Sequence, residues 1–321
     1  MFALLTAALL ASVSFVFAAS SAKPLGPRPG QIKNLVTFGD SYTDVVNTGD
    51  GGTAWPVFAA ADGNFKLFPF ARSGATCSNN ITFRPAPSVF ESQIPLFLEE
   101  RRNGTLRLNP DETIVTLWIG TNDVGANALL TGSAKGATLV NTTKCAVNFV
   151  KVMFENGMRN FLFQNMIPLQ RTILYSPDSF PNPFWSAERN TTMWSDTMTE
   201  FVNAGNALAR ALLQIMAPSL PGAHVGLFDS YALFSDMLAR PQDFLNGTAP
   251  LNITGAVREC VLDLNESTSG PARCTDVVGT DRDSFLWFDE LHPSEQADRQ
   301  VAKAIAAAIN RKTEQFTTWF S

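Results

Sequence analysis

Short apolar runs alternate along this chain with longer amphipathic stretches, and that alternation limits the available folds more than any other feature. Residues 35–38, 65–70, 113–119, 160–165 and 224–228 are rich in apolar side chains, as strands buried on both faces are. Helix-like stretches separate them at 55–61, 89–101, 139–156, 192–216 and 231–239. A further helix is expected over 294–310, with Ser294 as its N-cap and Pro293 setting the entry. Gly157 closes the 139–156 helix as a C-terminal glycine does. The pattern predicts an α/β protein: a three-layer α/β/α sandwich in one domain, with a mostly parallel five-stranded sheet. In such sheets the reactive loops lie beyond the carboxyl ends of the strands. Asp40-Ser41 follows the first strand, Arg72-Ser73-Gly74 the second and Gly120-Thr121-Asn122-Asp123 the third, so three polar motifs should converge on one edge.

The 321 residues are 45% hydrophobic with a formal charge of −5, enough for a sizeable core and without the basic patch that nucleic acid requires. An acidic surface also disfavours stable association with anionic membranes. Residues 1–18 read as a secretory signal cleaved after Ala18 or Ala19, too short and too diluted by Thr6, Ser12 and Ser14 for a membrane anchor. Residues 19–31 form a Pro/Gly-rich lead-in, and 32–321 the expected mature domain. Seven Asn-X-Ser/Thr sequons, at Asn80, Asn103, Asn141, Asn190, Asn246, Asn252 and Asn265, point to an exported, extracellular glycoprotein. Four cysteines allow three pairings. Cys260 and Cys274 bracket one Gly/Ser/Asp-rich segment and are expected to pair, leaving Cys77 for Cys145. Their spacing resembles no zinc site, so neither a metal nor another cofactor is expected.

The chemistry concentrates at the two ends of the chain. Phe38-Gly39-Asp40-Ser41 supplies a hydroxyl, and Asp289-Glu290-Leu291-His292-Pro293 supplies a carboxylate and one of only two histidines. A serine hydroxyl is a weak nucleophile until a base removes its proton, and the base needs a partner to orient its ring. His292 and Asp289, three residues apart, fit those roles. Asp40 reads as a turn-forming residue and Asp123 as loop support. His224 sits at a strand edge, Asp229 is too remote in sequence to displace Asp289, and Asp281 and Asp283 read as a solvated turn. Among six tryptophans, Trp55 and Trp287 adjoin the motifs and are the candidates for a substrate wall. Residues 316–320 read as an apolar tail docked on the body.

Phe38-Gly39-Asp40-Ser41, Gly74, Gly120-Thr121-Asn122-Asp123 and Asp289-Glu290-Leu291-His292 resemble, in order, the four signature blocks of the SGNH (GDSL) hydrolases. With their flanking elements they span roughly 35–310. The resemblance implies a flavodoxin-like fold, with Ser41 as nucleophile, His292 as base and Asp289 as its orienting acid. It also implies an oxyanion hole built from the backbone N–H groups of Ser41 and Gly74 and the side-chain amide of Asn122. Gly39-Asp40-Ser41-Tyr42-Thr43-Asp44, followed by Asn47, Thr48 and Gly49, resembles the secreted fungal acetylesterases of carbohydrate esterase family 16. So do Thr53-Ala54-Trp55-Pro56 and the run from Phe70 to Cys77. Val45-Val46 departs from the Thr-Gly pair that relatives carry, which puts the local loop shape in question. That resemblance implies deacetylation of sugar esters such as xylo-oligosaccharides by a monomeric enzyme. The alternatives are a secreted lipase or phospholipase of the same superfamily and a catalytically silent glycan-binding protein. A decayed enzyme is expected to lose at least one of Ser41, Asn122, Asp289 and His292, and none is missing.

Overall fold

Among the described residues there are ten strands, and six of them make one sheet. In chain order they are β1 (Asn34–Gly39), β2 (Lys66–Pro69), β3 (Thr113–Trp118), β4 (Asn160–Gln164), β5 (His224–Phe228), β6 (Asn252–Ala256), β7 (Arg258–Val261), β8 (Arg273–Asp276), β9 (Phe285–Trp287) and β10 (Thr317–Trp319). The computed structural model describes residues 25–49, 51–270, 272–313 and 315–321. The expected signal segment and the first part of the lead-in lie outside the described residues.

The main sheet runs β10-β5-β4-β3-β1-β2. Its first five strands in sequence pair in parallel, in the predicted places. The predicted count of five is one short. β10 adds an antiparallel edge strand to β5, with Thr317 opposite Phe228 and Trp319 opposite Gly226. The expected apolar tail is therefore docked by backbone pairing. β6 and β9 form a separate parallel pair, and β7 and β8 an antiparallel hairpin.

Among the described residues seven α-helices accompany the strands: α1 (Trp55–Gly63), α2 (Ile94–Arg102), α3 (Thr121–Val124), α4 (Leu139–Glu155), α5 (Thr191–Met216), α6 (Ser230–Ala239) and α7 (Glu295–Ile309). The Ser294 side chain caps α7 by accepting from the Ala297 N–H, as the sequence predicted. One face of the sheet presents Leu35, Ile114, Leu162 and Phe228 to a core shared with α1, α6 and α7. The other presents Val36, Phe38, Val115, Leu117, Phe161 and Phe163 to α2, α4 and the C-terminal half of α5. Alternation along each strand thus buries both faces, which is why these runs are apolar almost throughout.

The order of strands reverses about β1, whose neighbours are β2 and β3, and the loops after these three strands open outward there. A π-helical turn (Val89–Gln93) leads into α2 and aims Gln93 at the end of β1. Its side-chain carbonyl accepts from the Gly39 N–H at 3.1 Å, and its amide donates to the Gly39 carbonyl at 2.8 Å. Both expected disulfides are formed: Cys77–Cys145 ties the loop after β2 to α4, and Cys260–Cys274 staples β7 to β8.

Candidate active site

Ser41 stands two residues beyond β1 in a turn built by its neighbours. The Asp40 carbonyl accepts from the Thr43 and Asp44 N–H groups, and the Asp40 carboxylate accepts from the Tyr42 N–H at 3.1 Å. That carboxyl is fully buried, and burial pushes its pKa up to about 7. Asp44 binds the next loop: its carboxylate accepts from Val46 at 2.9 Å, Asn47 at 3.3 Å and Ser73 at 2.8 Å. The nucleophile turn and the Gly74 loop are therefore held as one piece.

The loop after β9 brings the imidazole. Asp289 accepts from the N–H groups of Leu291 (2.8 Å) and His292 (2.7 Å), closing a tight turn that points its carboxylate at the ring. His292 Nδ1 lies 2.9 Å from Asp289 Oδ2, and Nε2 lies 2.9 Å from Ser41 Oγ. Residues 251 apart in sequence are thus in hydrogen-bonded series. His292 is 8% exposed, with Tyr42 packed edge-on against its ring at 5.7 Å and Phe184 tilted against it at 5.6 Å. Gly49 presses on it too: a Cβ at that position would fall 2.3 Å from His292 Cδ2, so only glycine fits. The Tyr42 hydroxyl donates to the Leu291 carbonyl at 2.8 Å and joins this loop to the nucleophile turn.

Gly74 and Asn122 border the same cavity of about 250 Å³ as Ser41 and His292. Gly74 has a φ of +78°, a left-handed conformation that favours glycine, and a Cβ there would fall 3.2 Å from Ala86 Cβ. The Asn122 amide donates to the Ala75 carbonyl at 2.9 Å, which fixes its plane and leaves a second N–H of the same group. Asp123 accepts from the Cys77 N–H and the Thr82 hydroxyl. Burial raises its carboxyl to about 6. It supports the loop, as the sequence suggested.

Trp55 and Trp287 do not form the cavity wall. Both are completely buried. The Trp55 indole N–H donates to Thr43 Oγ1 at 3.2 Å, and that of Trp287 to the Ile253 carbonyl at 3.0 Å. Trp287 stacks on Phe234, 5.9 Å between centroids, beneath the loop that carries His292. The large apolar faces that adjoin the motifs were needed for packing, and the wall is made by Leu174, Tyr175, Phe184 and Leu291 instead. Phe184 lies between Pro183 and Trp185 in a loop with no apolar period, so no sequence pattern singled it out. Tyr42, Asp44 and Gly49 lay inside the quoted motif run, and their contacts across the loops give them their place.

The remaining candidates sit elsewhere. His224 begins β5 at the opposite end of the sheet, with Nδ1 3.4 Å from the Ser321 carbonyl. Asp229 caps α6 by accepting from the Ala232 N–H and pairs with Arg210 at 3.5 Å. Asp283 pairs with Arg299 at 2.9 Å, so that turn is less solvated than its composition implied.

A hydroxyl, an imidazole and a carboxylate in series at the open end of a parallel sheet mark the chain as an α/β carboxylic ester hydrolase. Residues 35–305 match the GDSL-like lipase/acylhydrolase family, and the chain belongs to it. It is similar to an acetylesterase of Hypocrea jecorina, with 29% identity covering 97% of this chain and 98% of that protein. An acetylesterase of Thermothelomyces thermophilus shares 25% identity over 90% of this chain and 92% of the other. Among solved structures, a catalytic mutant of an acetylxylan esterase from Geobacillus stearothermophilus aligns with a TM-score of 0.47 and 13% identity. It covers 87% of this chain and 96% of that one.

Proposed function

We propose that this protein is a secreted serine esterase that removes acetyl groups from acetylated carbohydrates, xylo-oligosaccharides among them, through an acyl-enzyme. The observation that carries the reading is the continuous series from Ser41 Oγ through the imidazole to Asp289, with 2.9 Å at each step. His292 Nε2 accepts the Ser41 proton as Oγ attacks the ester carbonyl, and Asp289 stabilises the imidazolium that forms. The backbone N–H groups of Ser41 and Gly74 and the Asn122 amide receive the developing oxyanion, each such donor being worth roughly 3 kcal/mol of barrier. The imidazolium returns its proton to the departing sugar oxygen. Water, deprotonated by the same ring, then releases acetate and restores Ser41.

The acetyl preference is supported by the acetylesterase relatives and by a cavity of about 250 Å³ closed on one side by Leu174, Tyr175 and Phe184. Phe184, half-buried against His292, offers the aromatic face on which a sugar ring would lie. Export is supported by the apolar residues 1–18, by two disulfides and by the sequons. Asn80, Asn103, Asn141, Asn190, Asn246 and Asn265 are exposed and Asn252 is half-buried, and none of the seven lines the cavity beside Ser41.

The test compares p-nitrophenyl acetate with p-nitrophenyl palmitate and follows acetate release from acetylated xylo-oligosaccharides. The acetate ester is expected to be hydrolysed far faster, and Ser41→Ala to abolish turnover with the thermal midpoint nearly unchanged. Preference for palmitate would move the enzyme to the lipases, and substantial turnover by the alanine variant would remove Ser41 from the mechanism.

A further inference from the structure

The cavity beside Ser41 contains a cation that the ester chemistry does not use. Arg84 stands half-buried in its wall, donating from Nη2 to the Ala126 carbonyl. Its Nε is buried without a hydrogen-bond partner, and the guanidinium forms no ion pair among the described residues. The other polar residues of the described lining, apart from His292, are neutral: Asn47, Thr48, Ser73, Asn122, Asn127 and Tyr175 beside Ser41 itself.

Among the described residues no carboxylate lines the cavity, although four acids lie close to it. Asp44 is engaged by three backbone N–H groups, Asp289 by two and by the imidazole, and Asp123 by Cys77 and Thr82. Asp40 is buried under Tyr42. Asp40 and Asp123 feel the guanidinium at longer range, but burial raises these carboxyls to about 7 and about 6, so near pH 6 they only partly cancel it. The apolar flank of Leu174, Tyr175 and Phe184 lowers the local dielectric and strengthens any pairing made there.

We propose that Arg84 is a specificity-determining residue that receives a carboxylate carried by the substrate close to the scissile ester. A planar guanidinium is suited to the two oxygens of a carboxylate. The carboxylate can belong to the alcohol, as in an acetylated uronic acid, or to the acyl group, as in a dicarboxylic hemiester. The proposal rests on the esterase reading: a carboxylate on the alcohol keeps the acetyl preference, and one on the acyl group would replace it.

Two matched pairs separate these sources at pH 6. For the alcohol side the pair is 4-acetoxybenzoate and its neutral methyl ester. For the acyl side it is 4-nitrophenyl hemisuccinate and 4-nitrophenyl methyl succinate. The readout is the anionic-to-neutral ratio of kcat/KM within each pair. In one pair that ratio is expected to fall roughly tenfold in Arg84→Gln relative to the native enzyme, with Arg84→Lys between them. The native ratio is also expected to drop as salt rises from low ionic strength to about 0.5 M, a measurement that stands even if the glutamine variant fails to fold. Ratios that ignore both the substitution and salt in both pairs overturn the role of Arg84 while leaving the esterase intact. Absence of turnover with every ester overturns the esterase reading and this proposal with it.

Discussion

Ser41 and His292 reach the same point by opposite constructions. The serine follows a central strand, hydrogen-bonded to β2 on one side and β3 on the other, whose side chains enter both cores. The histidine hangs in a loop after the three-residue strand β9, outside the main sheet. That loop is held from without: Leu174 N–H donates to the Glu290 carbonyl at 2.7 Å, and Cys260 N–H to the Glu290 carboxylate at 2.6 Å. The nucleophile's position is thus a property of the sheet, whereas the base's position depends on a few long-range bonds. Damage at the periphery should reach the base first.

The strongest test of the base side is Asp289→Asn. An asparagine keeps the turn but offers an N–H to Nδ1, favouring the tautomer whose Nε2 cannot accept the Ser41 proton. The expected loss in kcat on p-nitrophenyl acetate is about 10⁴-fold with little change in melting. A loss of only a few-fold would mean that geometry alone positions the ring.

Removing the Cys260–Cys274 bridge with a double serine variant should cost roughly 3 kcal/mol for a loop of this length. Because Cys260 also holds Glu290, kcat should fall before global unfolding sets in as urea is raised. Coincident loss of activity and structure would instead place β7 and β8 in the same cooperative unit as the sheet.

On the nucleophile side, Gln93→Leu leaves the buried Gly39 N–H without its partner. The expected cost is about 2 kcal/mol, read as a shift of the urea midpoint with activity lost only in step with unfolding. If activity vanished in a fully folded variant, the serine would be as dependent on single bonds as the histidine.

The smallest effect concerns Glu290, whose carboxyl is raised by burial to about 7 from an ordinary value of 4.5. The folded protein holds that proton more tightly than the unfolded chain does. Its stabilising contribution is therefore complete below about pH 4.5 and lost as pH rises through about 7. Glu290→Gln escapes this loss, so its stability relative to the native enzyme should improve between pH 5 and 8 by on the order of 1 kcal/mol. No change in the difference, or a change of opposite sign, would show that the carboxylate is already ionised at pH 5.

The five parallel strands and most of the helices were legible because burial on two faces imposes dense apolar runs, and these survive in one sequence without context. β10 was not legible as a strand: three residues carry no period, and its pairing depends on where the chain end docks. The small β6–β9 and β7–β8 pairs escaped for the same reason. Ser41, Asp289 and His292 could be found because their chemistry is rare in this chain, which has two histidines in all. Trp55 and Trp287 misled because nearness in sequence to a motif says nothing about which way an indole faces. Arg84 and Phe184 act through neighbours distant in the chain, and no local pattern encodes such contacts.

Gln93 has a consequence for how this scaffold can diversify. By supplying both a carbonyl and an amide to Gly39, its side chain imitates one rung of a neighbouring strand. The strand register with β2 ends at Thr37 and Pro69, but Phe70 and Ala71 N–H still donate to the Thr37 carbonyl and Arg72 N–H to the Gly39 carbonyl before the chain reaches Gly74. That segment is therefore part of the clamp on the strand that delivers the serine, so new acyl or alcohol preferences have to be written elsewhere along the cavity rim.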